Sequence, residues 1–362
     1  MGMRKAVGSI GVIRFTWMQA RTSALVVLAG LVLVAALAIA TGPHLAHLYD
    51  TTVINCAARG DCQAAKAGLV GTDHALQGLF YALVLVAPVL IGMFWGAPLL
   101  GRDLETGTFR LSFTQSVTRI RFVLTRLLVG AAAAMAISGV LSLIVTWWSS
   151  PLDTVNANRF ALSTFGLRGI VPIGYGAFGF VLGAASGAVA RRTVPAMAAT
   201  LIAFVAARLA VAYWLRPHFV APVERSYPFT LGAGFSIVHA AAGAEIIPAA
   251  PVLPNAWIYS TTMIDKSGNQ PTPQFIERAC PSLTSDIPPG SHVGGRHTTP
   301  GAAIQPEVHA CAARVAAKFH EFVTYQPAGR YWELQAYETT LFIVLAIGLA
   351  ALSVWWLRRR LT

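Results

Sequence analysis

Six long apolar runs, separated by polar segments, dominate the pattern of this chain. They fall at Ser23–Ala40, Leu76–Leu100, Leu127–Trp147, Gly169–Ala190, Thr193–Leu215 and Thr339–Leu357. Each is long enough to cross a hydrocarbon core of about 30 Å as a helix, and the only charged residue in all six is Arg208. The pattern predicts an all-α membrane bundle of six transmembrane helices. Ahead of it, Met3, Ala6, Val7, Ile10, Ile13 and Trp17 recur at helical spacing, with Lys5 and Arg14 off the stripe. That predicts an amphipathic helix lying in the membrane interface over residues 1–22, with a frayed tail as the alternative.

Between the fifth and sixth runs the pattern changes. Residues 216–337 are too many for a loop and read as a mixed segment outside the membrane, leaving residues 23–215 as spans 1 to 5 and 338–362 as span 6 with a basic tail. Within it, Phe219–Pro254 is half-apolar, Trp257–Ile264 reads as a strand and Lys266–Asn269 as a turn. Pro281–Gly301, rich in Pro, Gly and Ser, reads as a loop. Glu307–Phe322 reads as a helix started by Pro306, with Val308, Cys311, Val315, Phe319 and Phe322 on one face.

Composition agrees. Hydrophobic residues make up 55% of the 362 residues and charged ones 12%, with a mean hydropathy of +0.60; soluble domains carry about 25% charged residues. Charge then orients the bundle. The side with both termini holds Arg4, Lys5, Arg14, Arg21, Arg102, Arg110, Arg119, Arg121, Arg126, Arg191, Arg192 and Arg358–Arg360, against only Asp103 and Glu105. The short loops opposite hold Arg59, Lys66, Arg159 and Arg168. Positive residues in short loops stay inside, so both termini are expected to be cytoplasmic and the 216–337 segment extracytoplasmic. The net charge of +12 is therefore a topology signal and not a nucleic-acid footprint.

The four cysteines follow the same division. Cys56 and Cys62 share the first outer loop, and Cys280 and Cys311 share the long outer segment. Oxidising surroundings favour disulfides. Of the three pairings allowed, Cys56–Cys62 with Cys280–Cys311 keeps each bridge within one segment; four unpaired thiols are the alternative. Ala38-Ile39-Ala40 resembles a signal-peptide cleavage site, but the apolar run is longer than such cores usually are.

Finer marks bear on packing. Trp147-Trp148, Tyr213-Trp214 and Trp355-Trp356 read as interfacial belts. Gly179, Gly183 and Gly187 form a small-residue ridge on span 4, for contact within one subunit or between two. Pro88 with Gly92 and Gly96 marks an irregularity in span 2.

Chemistry is sparse. None of the four lysines directly follows a glycine, so the chain has no P-loop. His44 and His47 lack the company a metal site needs, and His320-Glu321 lacks the second histidine of a zinc-protease motif. No catalytic residues, metal or cofactor are expected in this chain, and enzyme activity is not expected. Arg208 either snorkels to the outer interface or lines a translocation path and meets an anionic or polar ligand.

The stretch Gly101–Arg121 stands apart, because it is strongly polar and wedged between two spans. At Glu105-Thr106-Gly107-Thr108-Phe109-Arg110-Leu111, followed by Gln115-Ser116-Val117-Thr118-Arg119, the chain resembles permease subunits of bacterial type-2 family ABC exporters. Tyr325–Trp332, running into span 6 and a terminal Arg cluster, is similar to the drug- and antibiotic-export members of high-GC Gram-positive bacteria, as is the excess of Arg over Lys. The resemblance implies that residues 101–121 form a coupling element seated in a separate ATP-binding subunit, which carries the ATP and magnesium. Arg102, Asp103, Glu105, Thr108, Phe109, Arg110, Phe113 and Arg119 would then make the contact. Asp103 and Glu105 lie early in it, where a helix N-terminus favours negative charge, and Phe109 and Phe113, four apart, share an apolar face. The resemblance also implies a second permease copy or related chain in the bacterial cytoplasmic membrane, with an apolar or amphipathic compound (drug, antibiotic or lipid-like) as cargo. The competing class is a membrane receptor, anchor or assembly protein with a disulfide-stabilised outer domain.

Overall fold

A computed structural model describes residues 2–56, 62–105, 119–229, 235–240, 243–248, 251, 253–281, 292–294 and 305–360. The chain divides into two compact units, one built from Met1–Val220 with Tyr331–Thr362 and the other from Ala221–Arg330.

Among the described residues, six helices are long and apolar enough to span a membrane: Leu25–Ile54, His74–Arg102, Arg121–Trp148, Val171–Ala190, Thr193–His218 and Ala328–Trp356. These are spans 1 to 6. Spans 1 and 6 extend further than their hydropathy suggests. Span 1 continues past Ala40 because Leu45, fully buried, keeps a packed face beyond Pro43. Span 6 starts well before Thr339 because Tyr331, Leu334, Gln335 and Glu338 repeat at helical spacing and are all buried. No break separates residues 2–22 from span 1, since one helix runs Gly2–Leu48; the side chains of residues 2–24 lie outside those described.

Span 4 is the hub. It is buried over most of its length and packs against spans 2, 3, 5 and 6. Its glycine ridge faces span 2 of the same chain. A Cβ at Gly183 would lie inside the van der Waals shell of the Gly92 carbonyl oxygen, and a Cβ at Gly92 would meet that of Gly179. The two backbones therefore approach as only glycine permits. Span 2 accommodates this with a π-helical turn over Gly92–Gly96, just after Pro88.

One expected belt residue belongs to the core. Trp147 is 55% exposed, but Trp148 is 1% exposed, donates its indole N–H to Thr41 Oγ1 at 2.8 Å and meets Phe80 edge-on. Burial with its polar atom satisfied is the cheaper arrangement for a large amphipathic ring.

The second unit is mixed. Strand β1 (Val223–Pro228) and β4 (Trp257–Ile264) flank β6 (His320–Gln326), all antiparallel, while β2 (Phe235–Ala240) lies between β3 (Gly243–Pro248) and β5 (His292–Gly294). The helix expected over Glu307–Phe322 is shorter, Gln305–Ala316. Residues 320–322 belong instead to β6, where Phe322, Val323, Thr324 and Tyr325 suit a central pleated strand. The turn after β4 is built on Asp265, which accepts from the Ser267 and Asn269 amides. Ile237, Ile246, Met263, Ile276, Val315 and Phe319 form the core with the Cys280–Cys311 bridge inside it. Cys56–Cys62 is also bridged.

Candidate functional site

Sequence reading singled out Glu105 with its neighbours, and Arg208. The structure puts them near opposite ends of the helical unit. The end where spans 4 and 5 meet at Arg191-Arg192 is here called the basic end.

At the basic end, span 4 stops at Arg191, whose φ of 53° gives the left-handed turn that ends a helix. Arg192 is extended and occupies the cap position of span 5, but its side chain has no oxygen with which to cap the helix. Glu105, the last described residue of span 2's helix, supplies it. Its Oε2 accepts from the Thr193 amide at 3.1 Å and from the Thr193 hydroxyl at 2.9 Å. These bonds hold the Glu105 carboxyl below its usual range against the cost of desolvation, and Arg192 adds in the same direction as the bonds. A negative charge at a helix N-terminus is favoured in any case. Beside this link lies a cleft of about 580 Å³ lined by Glu105, Arg191, Arg192, Val194 and Pro195. Arg102 is exposed on the same helix, and Arg119 opens the helix of span 3. Thr108, Phe109, Arg110 and Phe113 lie outside the described residues, as does the side chain of Asp103.

At the far end, span 5 passes through a π turn at Val211–Leu215 into a 3-10 turn at Arg216–His218. Arg216 is 2% exposed and Glu338 is fully buried. Arg216 Nε donates to Glu338 Oε2 at 2.7 Å and Nη2 to Oε1 at 3.0 Å, a bidentate pair with the guanidinium over the Phe165 ring. Tyr175 of span 4 donates its hydroxyl to the same Oε1. One helical turn earlier, Gln335 accepts from the Ile170 and Val171 amides at the start of span 4 and donates to the Phe165 carbonyl and the Tyr331 hydroxyl. Span 6 thus fastens spans 4 and 5 through two buried polar side chains.

Arg208 adjoins this cluster. Its guanidinium lies 4.6 Å above the Tyr175 ring, and Nη1 reaches the Leu85 carbonyl at a long 3.5 Å. Gly166 leaves room for it, since a Cβ there would be 3.0 Å from Arg208 Nη2.

A third cluster replaces an expected loop charge. Arg168 is 3% exposed, donates to the Val145 carbonyl at 2.8 Å and to the Tyr81 hydroxyl at 2.7 Å, and lies 3.2 Å from Asp153. Burial pushes the Asp153 carboxyl up, while Arg168 pulls it back.

Sequence reading missed Arg216, Glu338, Arg168 and Asp153 as buried groups. It placed Arg216 at the start of the outer segment and residue 338 at the start of span 6. The available signal was their position, one basic and one acidic residue at the two edges of the same insertion, each abutting an apolar run.

The family model described as ABC-2 membrane transporter related matches residues 28–216. No curated protein and no solved structure gives a match. The matched residues run from within span 1 to within span 5, include both Glu105 and Thr193, and make up more than half of the chain: this multi-pass membrane protein belongs to the ABC-2 membrane transporter related family.

Proposed function

We propose that the chain is the permease subunit of an ATP-driven exporter in the bacterial cytoplasmic membrane. Membership of the family implies an ATP-binding subunit as partner. In this reading the partner holds ATP and magnesium on the cytoplasmic face, and a second permease completes the pathway. The cargo is an apolar or amphipathic compound of the drug, antibiotic or lipid-like kind, leaving on the side of the 221–330 unit.

The observation that carries the coupling mechanism is the bond between Glu105 and Thr193. Arg102, Asp103, Thr108, Phe109, Arg110, Phe113 and Arg119 supply the docking element. Glu105 ties the root of that element to the first residue of span 5, so a displacement of the element on ATP binding pulls on span 5 directly. Glu105 is in this account a positioning residue as well as a docking one. The two hydrogen bonds are exposed, so water competes for both partners, which suits a link that re-forms in every cycle.

The test is reconstitution with an ATP-binding subunit. Inverted membrane vesicles should accumulate a lipophilic fluorescent amine or acid only with ATP and only when both chains are present. Accumulation that ignores either ATP or this chain contradicts the proposal.

A further inference from the structure

Glu338 is already paired with Arg216. Its Oε2 takes Arg216 Nε, and its Oε1 takes both Arg216 Nη2 and the Tyr175 hydroxyl. Arg216 and Glu338 cancel, so among the described residues the cluster keeps one positive charge without an ion-pair partner, on Arg208. That guanidinium carries five donors and, among the described residues, uses one, at 3.5 Å. The Tyr175 ring offers it a quadrupole but no countercharge.

A guanidinium within a span is costly unless something polar or anionic meets it. The surroundings say what kind of group that is. Arg208 is half-buried, while Leu85, Val205 and Leu209 beside it are 44%, 43% and 49% exposed on the outside of the helical unit. A ligand there meets a fork of donors suited to a carboxylate or phosphate and, alongside, apolar surface suited to an alkyl chain.

We propose that Arg208 is the receptor for the acid group of an amphipathic anion, bound from the lipid side with its chain along Leu85, Val205 and Leu209. The site exists whether or not the ligand is cargo; its identification with cargo rests on the permease reading. Membrane phospholipids with anionic headgroups and exported single-chain acids share this chemistry.

Native mass spectrometry of the full chain in neutral maltoside micelles tests it, with hexadecyl phosphate and hexadecanol as probes. Wild type should retain the phosphate over the alcohol by at least about tenfold, because only the acid makes charge-assisted bonds. Arg208→Gln should abolish that preference while its thermal unfolding and its recovery of the ATP-binding subunit stay as in wild type, and Arg208→Lys should keep part of it. Competition by phosphatidylglycerol assigns the site to lipid, and its failure to compete assigns it to a single-chain acid. Equal retention of both probes by wild type, or an unchanged preference in Arg208→Gln and Arg208→Lys, overturns the proposal. Loss of the ATP-binding subunit from every form, wild type included, counts against the permease reading and leaves this binding result standing.

Discussion

Arg216 and Glu338, separated by 122 positions in the chain, form a bidentate ion pair sealed within the helical unit. Arg216 precedes the point where the chain leaves that unit after Val220, and Glu338 follows the point where it returns at Tyr331. Spans 5 and 6 are not consecutive in any tight turn, so this pair, with Tyr175 and Gln335, replaces the constraint a short loop would impose.

Breaking the pair from one side should be worse than removing it. Glu338→Ala strands Arg216, and Arg216→Ala strands Glu338; each should lower stability by about 3–5 kcal/mol. Arg216→Met with Glu338→Leu should recover most of the loss, because no buried charge remains unpaired. Thermal unfolding of the purified variants reads this, and equal losses in the single and double variants would show that the pair acts only through packing.

The approach of spans 2 and 4 yields a second expectation. Gly183→Ala places a methyl against the Gly92 carbonyl, which is backbone and cannot turn aside. Overpacking of this kind costs about 1–3 kcal/mol and sometimes more. Gly78→Ala, where nothing lies within 4 Å, should be neutral. Yield and monodispersity in size-exclusion chromatography compare the two; a neutral Gly183→Ala refutes the close approach.

Both disulfides should be found by peptide mapping under non-reducing conditions, as Cys56–Cys62 and Cys280–Cys311. The second closes 31 residues inside the core of the 221–330 unit. Replacing Cys280 and Cys311 by Ser should destabilise that unit by ~3–4 kcal/mol, and more if the buried hydroxyls find no partner. Crossed pairing would contradict the register of that core.

Glu321 gives the same unit a dependence on pH. It lies on central strand β6, 1% exposed, opposite Tyr227 of β1 and Met263 of β4, with Arg225 two residues along β1 on the same face. Its Oε1 has no hydrogen-bond partner among the described residues, and burial pushes the carboxyl up to about 7. Folded protein therefore binds this proton more tightly than unfolded chain, so stability falls as pH rises from about 4.5 through 7. Hydrogen exchange of the β1, β4 and β6 amides, corrected for intrinsic rate, should show stronger protection at pH 5 than at pH 8. Glu321→Gln should flatten the difference, which is worth ~2–3 kcal/mol. A dependence that survives Glu321→Gln would assign it elsewhere.

The spans were legible because length and apolarity are nearly sufficient to define them, and the glycine spacing already marked span 4 as a close-packing helix. What pattern could not separate is a charge at the membrane edge from a charge inside the bundle. Glu338 and Arg168 look like border residues until tertiary contacts supply Arg216, Tyr81 and Asp153. Trp148 sits where a belt residue should, and only its partner Thr41, on another span, makes it core. Phe322 fits a helical stripe that starts at Val308, but pairing with β1 and β4 draws residues 320–326 into a sheet. At the basic end, Glu105 was picked out by motif and by exposure; its partner Thr193 lies 88 residues away and carries no local sign of the link.

The central claim is that the connection after span 2 couples this permease to an ATP-binding subunit. Its most direct test is recovery of that subunit on an affinity-tagged chain, together with ATP-dependent export, for Glu105→Ala, Phe109→Ala with Phe113→Ala, and the control Lys66→Ala. The phenylalanine pair should lose the subunit through lost apolar contact. Glu105→Ala should retain a larger share of it yet export poorly, because the bond to Thr193 is gone; Lys66→Ala should match wild type on both counts. If all three variants recover the subunit and export as wild type does, the element does not transmit the ATP cycle and the account is wrong.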